Sequence, residues 1–263
     1  NDLTCTAYYA YSTGLFVQMA KALGKEDVAA EYEELYHKIV KKFQETFFDA
    51  EGNMTAQTQT AHIVALYFQL TPEKYITKTV EGLKRLLDKE NGHLVTGFVG
   101  TPYFCHALSQ NHALKEAYDL LLKEDFPSWL YQVKKGATTI WEHWDSYTKE
   151  KGFGGQNAMN SFNHYSLGSV LSWLYHTGLG IQRDETKPGY QHILLKPQPG
   201  PLEFMKGSVD SPYGVISAGW ERKGDKIEYQ VTIPVNTTAT LFKNTQDPAD
   251  TVELGSGTYT FML

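Results

Sequence analysis

The strongest constraint on this chain is a change of rhythm near residue 184. Up to Arg183 apolar residues recur at helical spacing, whereas beyond it they alternate along short runs. A period near 3.6 lays apolar side chains along one stripe of a helix, and a period of two puts them on one face of a strand. One segment cannot satisfy both, so the pattern divides the chain into a helical domain, residues 1–183, and a β domain, residues 184–263. Pro188, Pro197, Pro199 and Pro201 crowd the junction, and no helix interior accommodates such a run.

In the first part, Leu3, Ala7, Ala10, Tyr11, Leu15, Met19 and Leu23 form one helical series that Gly24 ends. It begins with neither an initiator methionine nor a leader, as expected of a piece cut from a longer protein. A second helix is expected over 26–48, with a turn at 49–52. The stretch 56–70 has almost no polar face, which predicts a helix buried on most sides. Thr71 and Pro72 read as the cap and first turn of a helix running to about residue 89, stopped by Asn91 and Gly92. After the loop 93–100, shorter helices are expected over 102–109 and 112–123. Residues 125–155 are irregular, with Gly152, Gly154 and Gly155 closing the segment, and a last helix is expected over 158–177. About seven helices in succession suit a bundle, a solenoid or a toroid of hairpins, among which periodicity does not choose.

Beyond the junction, 192–195, 214–220, 226–233 and 239–242 alternate and are rich in β-branched and aromatic residues. Turn signals stand at 223–225 and 256–257. These predict a small antiparallel sandwich.

A formal charge of −6 with no run of Lys and Arg interleaved with aromatics argues against nucleic acid as a partner and against anionic membranes. No apolar run approaches the roughly 18 residues needed to span a bilayer. Cys5 and Cys105 have no metal or redox spacing and are expected to be buried apolar residues. His106 and His112 lack a third ligand nearby, and no metal or cofactor is expected. The compartment is left open.

One stretch carries chemistry: GATTIWEHWDS, residues 136–146, where Glu142 lies between Trp141 and Trp144. Indole faces stack on the C–H surface of a pyranose, and a carboxylate among apolar rings can be tuned for acid or base work. The plainer alternative is a core helix with both tryptophans on one stripe and Glu142 facing water.

Five ordered stretches decide between these: TAQTQTAHIVALYF (55–68), HLVTGFVGTPYF (93–104), PSWLYQVKKGATTIWEHWDS (127–146), MNSFNHYSLGSVLSWLY (159–175) and PGYQHILLKPQPG (188–200). Together they resemble the bacterial alpha-L-rhamnosidase family of inverting glycoside hydrolases. The resemblance implies a multi-domain α and β chain: part of an (α/α)6 toroid of six helical hairpins, followed by a β-sandwich. It implies that this chain is the later part of the catalytic domain, lacking the upstream acidic residues that include the general acid. By position Glu142 matches the family's general base, and His164 matches a histidine that touches sugar hydroxyls. Trp141 and Trp144 are then expected to line the pocket, and the partner is a rhamnose-containing glycan or glycoside. His143 stands where the family motif leads one to expect arginine. An inverting hydrolase needs its base and acid roughly 6.5–9.5 Å apart so that water fits between them. Two other readings stay open: a non-catalytic carbohydrate-binding or structural fragment, and another inverting (α/α)6 glycosidase.

Overall fold

The computed structural model describes residues 2–150, 152–153, 159–244, 247 and 249–263. The chain forms two compact units, Asn1–Gly168 and Ser169–Leu263.

The first unit is a succession of helical hairpins. α1 (Asp2–Ala22) pairs with α2 (Glu26–Phe47), α3 (Gln59–Tyr67) with α4 (Ile76–Lys89), and α5 (Phe104–Gln110) with α6 (Leu114–Leu121). α3 also touches α1 and α5, so odd-numbered helices form an inner row and each carries an outer partner. Composition follows position. α3 is shielded along nearly its whole length, burying Ala61, His62, Ile63, Val64, Ala65 and Leu66, and Thr58 caps it by accepting the Ala61 amide at 3.2 Å. α4 is two-sided, with Val80, Leu83 and Leu87 inward and Glu81, Arg85 and Asp88 outward. On α2 the pairs Glu34–Lys38 and Glu45–Lys41 are exposed and contribute little, because water screens them. Burial of a side chain such as Phe43, fully shielded, is worth about 1.5–3 kcal/mol and dominates. Tyr11 stacks on Phe68 with ring centroids 4.3 Å apart, joining α1 to the end of α3. Buried Gln59 donates to the His93 carbonyl at 2.9 Å and accepts the Val95 amide at 2.8 Å, which ties the loop after α4 to the inner row.

After α6 come a short helix, α7 (Trp129–Lys134), an irregular stretch, a two-stranded ribbon of β1 (Tyr147–Thr148) and β2 (Gly152–Phe153), and α8 (Tyr165–Gly168).

The second unit opens with α9 (Val170–Trp173) and a wide turn, Leu174–Gly178, and continues as two four-stranded sheets. Its strands are β3 (Ile181–Arg183), β4 (His192–Leu195), β5 (Phe204–Ser211), β6 (Gly214–Lys223), β7 (Lys226–Ile233), β8 (Thr238–Phe242), β9 (Thr251–Leu254) and β10 (Gly257–Met262). One sheet has the order β10-β7-β6-β5 and the other β3-β4-β8-β9. Inward residues of both, including Ile193, Leu195, Ile216, Trp220, Tyr229, Val231 and Leu241, share one core. β7 shows the period of two plainly: Ile227, Tyr229, Val231 and Ile233 are buried while Glu228 and Gln230 face water. Inside this core the Trp220 indole donates to the Gly178 carbonyl at 2.9 Å and the Tyr229 hydroxyl to that of Leu179 at 3.1 Å.

Several expectations need correction. The sandwich is antiparallel except where β4 pairs with β8 in parallel, because β5 to β7 cross over to the other sheet between them. Cys5 is exposed, and only Cys105 is buried, which pushes its thiol up to about 12. Met19 and Leu23 are exposed as well: α1 turns Thr13, Val17 and Ala20 inward in the positions that follow Ala10. The buried hydroxyl of Thr71 has no hydrogen-bond partner among the described residues and caps nothing; Pro72 leads instead into a 3₁₀ turn, Glu73–Tyr75. The last helix begins only at Tyr165 and is broken into α8, α9 and the wide turn. Its expected first residue, Ala158, and the loop glycines Gly154 and Gly155 lie outside the described residues.

Two predictions follow from these environments. His62 is 2% exposed, its Nδ1 lies 2.9 Å from the Thr58 carbonyl, and burial followed by the Arg85 charge holds its pKa below the ordinary histidine value. Below about pH 6.5 the unfolded chain therefore takes up a proton that the folded ring refuses, and stability falls with pH. Urea unfolding from pH 7.5 to 5 should show a smaller acid loss in His62→Gln than in the parent. Gly180 has φ +77, and an added Cβ would lie 2.2 Å from the Pro197 nitrogen, whereas Gly224, at φ +68, has open space. Gly224→Ala should cost about 1–2 kcal/mol for the left-handed backbone alone, and Gly180→Ala measurably more in the same unfolding assay.

Candidate active site

Residues 137–146 are irregular, so the alternative in which Trp141 and Trp144 share a helical stripe does not hold. What organises this segment is the stretch before α8. The Glu142 amide donates to the Ser161 carbonyl at 2.9 Å, and the His164 amide donates to the Ile140 carbonyl at 2.8 Å. The Ser161 amide then donates to Glu142 Oε2 at 2.7 Å. These bonds explain why the last helix starts late: Ser161 and His164 spend their main-chain groups on the motif.

The next turn is held from two sides. Gln132, on α7, donates to the His143 carbonyl at 3.0 Å, and the His143 amide donates to the Ser146 hydroxyl at 3.1 Å. Ser128 caps α7 by accepting the Tyr131 amide, and Gly136 at φ +84 releases the chain from it. Buried Trp129 donates its indole N–H to the Leu167 carbonyl at 2.8 Å and meets Trp144 edge to face at 5.4 Å.

Glu142 is half-buried on this frame. Trp141 is only 4% exposed and meets Phe162 and Tyr147 edge to face at 5.8 and 6.4 Å. It supplies an apolar wall for the segment and offers little ring face to a ligand. Trp144 is half-buried. The His164 ring stacks with Phe98, at 4.5 Å between centroids, and with Tyr165, at 5.5 Å. Its Nδ1 accepts the Ser166 amide at 3.3 Å, which leaves Nε2 as the N–H donor of the neutral ring. Phe98 is 45% exposed and Tyr165 76%, so the stack borders solvent.

All four residues singled out in the sequence therefore lie on the motif segment or on the stretch hydrogen-bonded to it. Phe98, Tyr165, Gln132, Ser146 and Asn160 were not singled out; each stands inside one of the stretches that carried the resemblance, but nothing in their spacing marks a role. Asp145 and Glu150 are exposed. Among the described residues no three His, Cys, Asp or Glu side chains are grouped to hold a metal ion, and no helix is long and apolar enough to cross a membrane. Depressions of about 430 Å³ on β5 to β7 and about 580 Å³ beside α4 and α6 do not include Glu142 in their linings.

Helices paired in hairpins and followed by a two-sheet β domain set the class of fold in which relatives of this chain are found. Residues 1–177 match the model of the bacterial alpha-L-rhamnosidase 6 hairpin glycosidase domain, and residues 180–256 that of the bacterial alpha-L-rhamnosidase C-terminal domain. The chain belongs to the bacterial alpha-L-rhamnosidase family. An alpha-L-rhamnosidase of Formosa agariphila is 36% identical over 243 residues, which are 92% of this chain and 26% of that protein. The crystal structure of Streptomyces avermitilis alpha-L-rhamnosidase complexed with L-rhamnose superposes with a TM-score of 0.91 at 33% identity, covering 100% of this chain and 27% of that one. The alpha-L-rhamnosidase of Aspergillus terreus gives 0.91 at 32% identity, over 98% of this chain and 30% of that one. The chain thus spans between a quarter and a third of the length of these relatives.

The Trp129 bond is testable by itself. Trp129→Phe keeps most of the packing but leaves the Leu167 carbonyl without its buried donor, so unfolding in urea should show a loss of about 1–3 kcal/mol.

Proposed function

We propose that the enzyme to which these residues contribute removes terminal alpha-L-rhamnose from glycosides by single displacement with inversion, and that Glu142 is its general base. The strongest support is the amide-to-carboxylate bond from Ser161. It orients Glu142 in a half-buried position on a frame shared with His164, in a chain whose family is rhamnosidase. With Oε2 held by the amide, Oε1 takes a proton from water as that water attacks the anomeric carbon. The general acid acts from the opposite side of the sugar and comes from residues outside this chain. These 263 residues alone are therefore expected to turn over no substrate.

His164 contributes its Nε2–H to a sugar hydroxyl, held in orientation by the flat stack and by the Ser166 amide. Trp144 contributes ring surface, and Trp141, buried against Phe162 and Tyr147, packs the segment that carries Glu142.

In the whole enzyme, Glu142→Gln should lower turnover of an aryl alpha-L-rhamnoside by about 10² to 10⁴-fold. Activity within a fewfold of the parent would refute the assignment. Proton NMR of the first-formed product should show the anomer opposite to that of the substrate.

A further inference from the structure

Glu142 stands on a segment with no helix or sheet ladder of its own, and its partner Ser161 stands on another. Two main-chain bonds join the segments, and the side chain of Asn160 is placed to fix the turn beside them. Its Oδ1 accepts the Ser146 hydroxyl at 2.5 Å and its Nδ2 donates to the Ser146 carbonyl at 3.0 Å. Ser146 is 1% exposed, and its hydroxyl also accepts the His143 amide at 3.1 Å. The bonds close a ring that runs from Glu142 to Ser161, to the adjacent Asn160, across to Ser146, and through His143 back to Glu142. Both hydrogen-bonding functions of one amide side chain are thus spent on one residue of the motif, next to the point where the carboxylate is gripped.

We propose that Asn160 is a positioning residue for Glu142: its two bonds to Ser146 set the distance and angle at which the Ser161 amide meets the carboxylate. The proposal rests on the reading of Glu142 as general base. Without the Asn160 amide, Ser146 loses a donor and an acceptor in a buried place, and the stretch around residue 161 is held to the motif only by its main-chain bonds to residues 140 and 142. A displacement of a few tenths of an ångström at the amide rotates the carboxylate away from the attacking water. Substrate contacts made by other groups are left in place. The loss therefore falls on the chemical step rather than on binding.

The test is a double-mutant cycle in the whole enzyme, with kcat and KM for an aryl alpha-L-rhamnoside measured for the parent, Glu142→Gln, Asn160→Ala and the double variant. Asn160→Ala should lower kcat by about 10 to 10²-fold with KM changed less than about threefold. In the Glu142→Gln background the same substitution should change kcat by less than about twofold, because an oriented base is no longer there to lose. Asn160→Gln keeps both the acceptor and the donor on a longer arm; it should give a smaller kcat loss, and it carries the cycle if the alanine variant does not fold. An Asn160 substitution that lowers kcat by the same factor in both backgrounds, or that leaves kcat unchanged while Glu142→Gln lowers it, would overturn the proposal. Full activity in Glu142→Gln would instead remove the base assignment on which the proposal stands.

Discussion

The candidate site depends on one exchange of hydrogen bonds between two irregular segments. The main chain of residues 140–142 and that of 161–164 satisfy each other, and the Glu142 carboxylate joins the exchange by accepting the Ser161 amide. A carboxylate on a helix would be aimed by the helix, and one on a strand by the sheet. Here the aim comes from a partner segment, which in turn needs the Asn160–Ser146 bonds and the α7 contacts to stay where it is. The aromatic residues around it complete the arrangement. Trp141, Phe162, Tyr147 and Phe153 meet edge to face, and Trp129 and Trp144 do the same on the α7 side. A compact local structure is thereby built where no regular element exists.

That construction explains what could and could not be read from the sequence. α1 to α6 were legible because their stability comes from an apolar stripe or an apolar cylinder, and both leave a periodic trace. The three-residue offset between Trp141 and Trp144 imitates such a trace, yet the helix it suggests does not form. Asn160 and Ser146 leave no trace, since a hydrogen bond between residues 14 apart on irregular segments has no period to detect. The apolar run 165–175 was recognisable, but the helix does not extend back over residues 159–164, where main-chain groups at 161 and 164 are already engaged elsewhere. Glu142 was marked by its place between two tryptophans and given its role by resemblance to a family motif, which alone singled out His164; periodicity would not have selected either.

In the β unit the alternation of β6 and β7 was plain because one face is buried and the other wet. Strands with little contrast between faces were missed. β10 buries none of its residues fully, and β3 is only three residues long. The parallel pairing of β4 with β8 was not readable from pattern, because alternation along a strand carries no information about the direction of its neighbour.

The inner and outer rows of helices have a further consequence for how this family can vary. An inner helix such as α3 meets protein on nearly every side, so almost any substitution there must keep both volume and polarity. An outer helix such as α4 meets protein on one side only and accepts change on about half of its surface. Sequence drift along the helical unit should therefore come in bands, each the length of a whole helix, with the conservative bands falling on enclosed members such as α3 and α5.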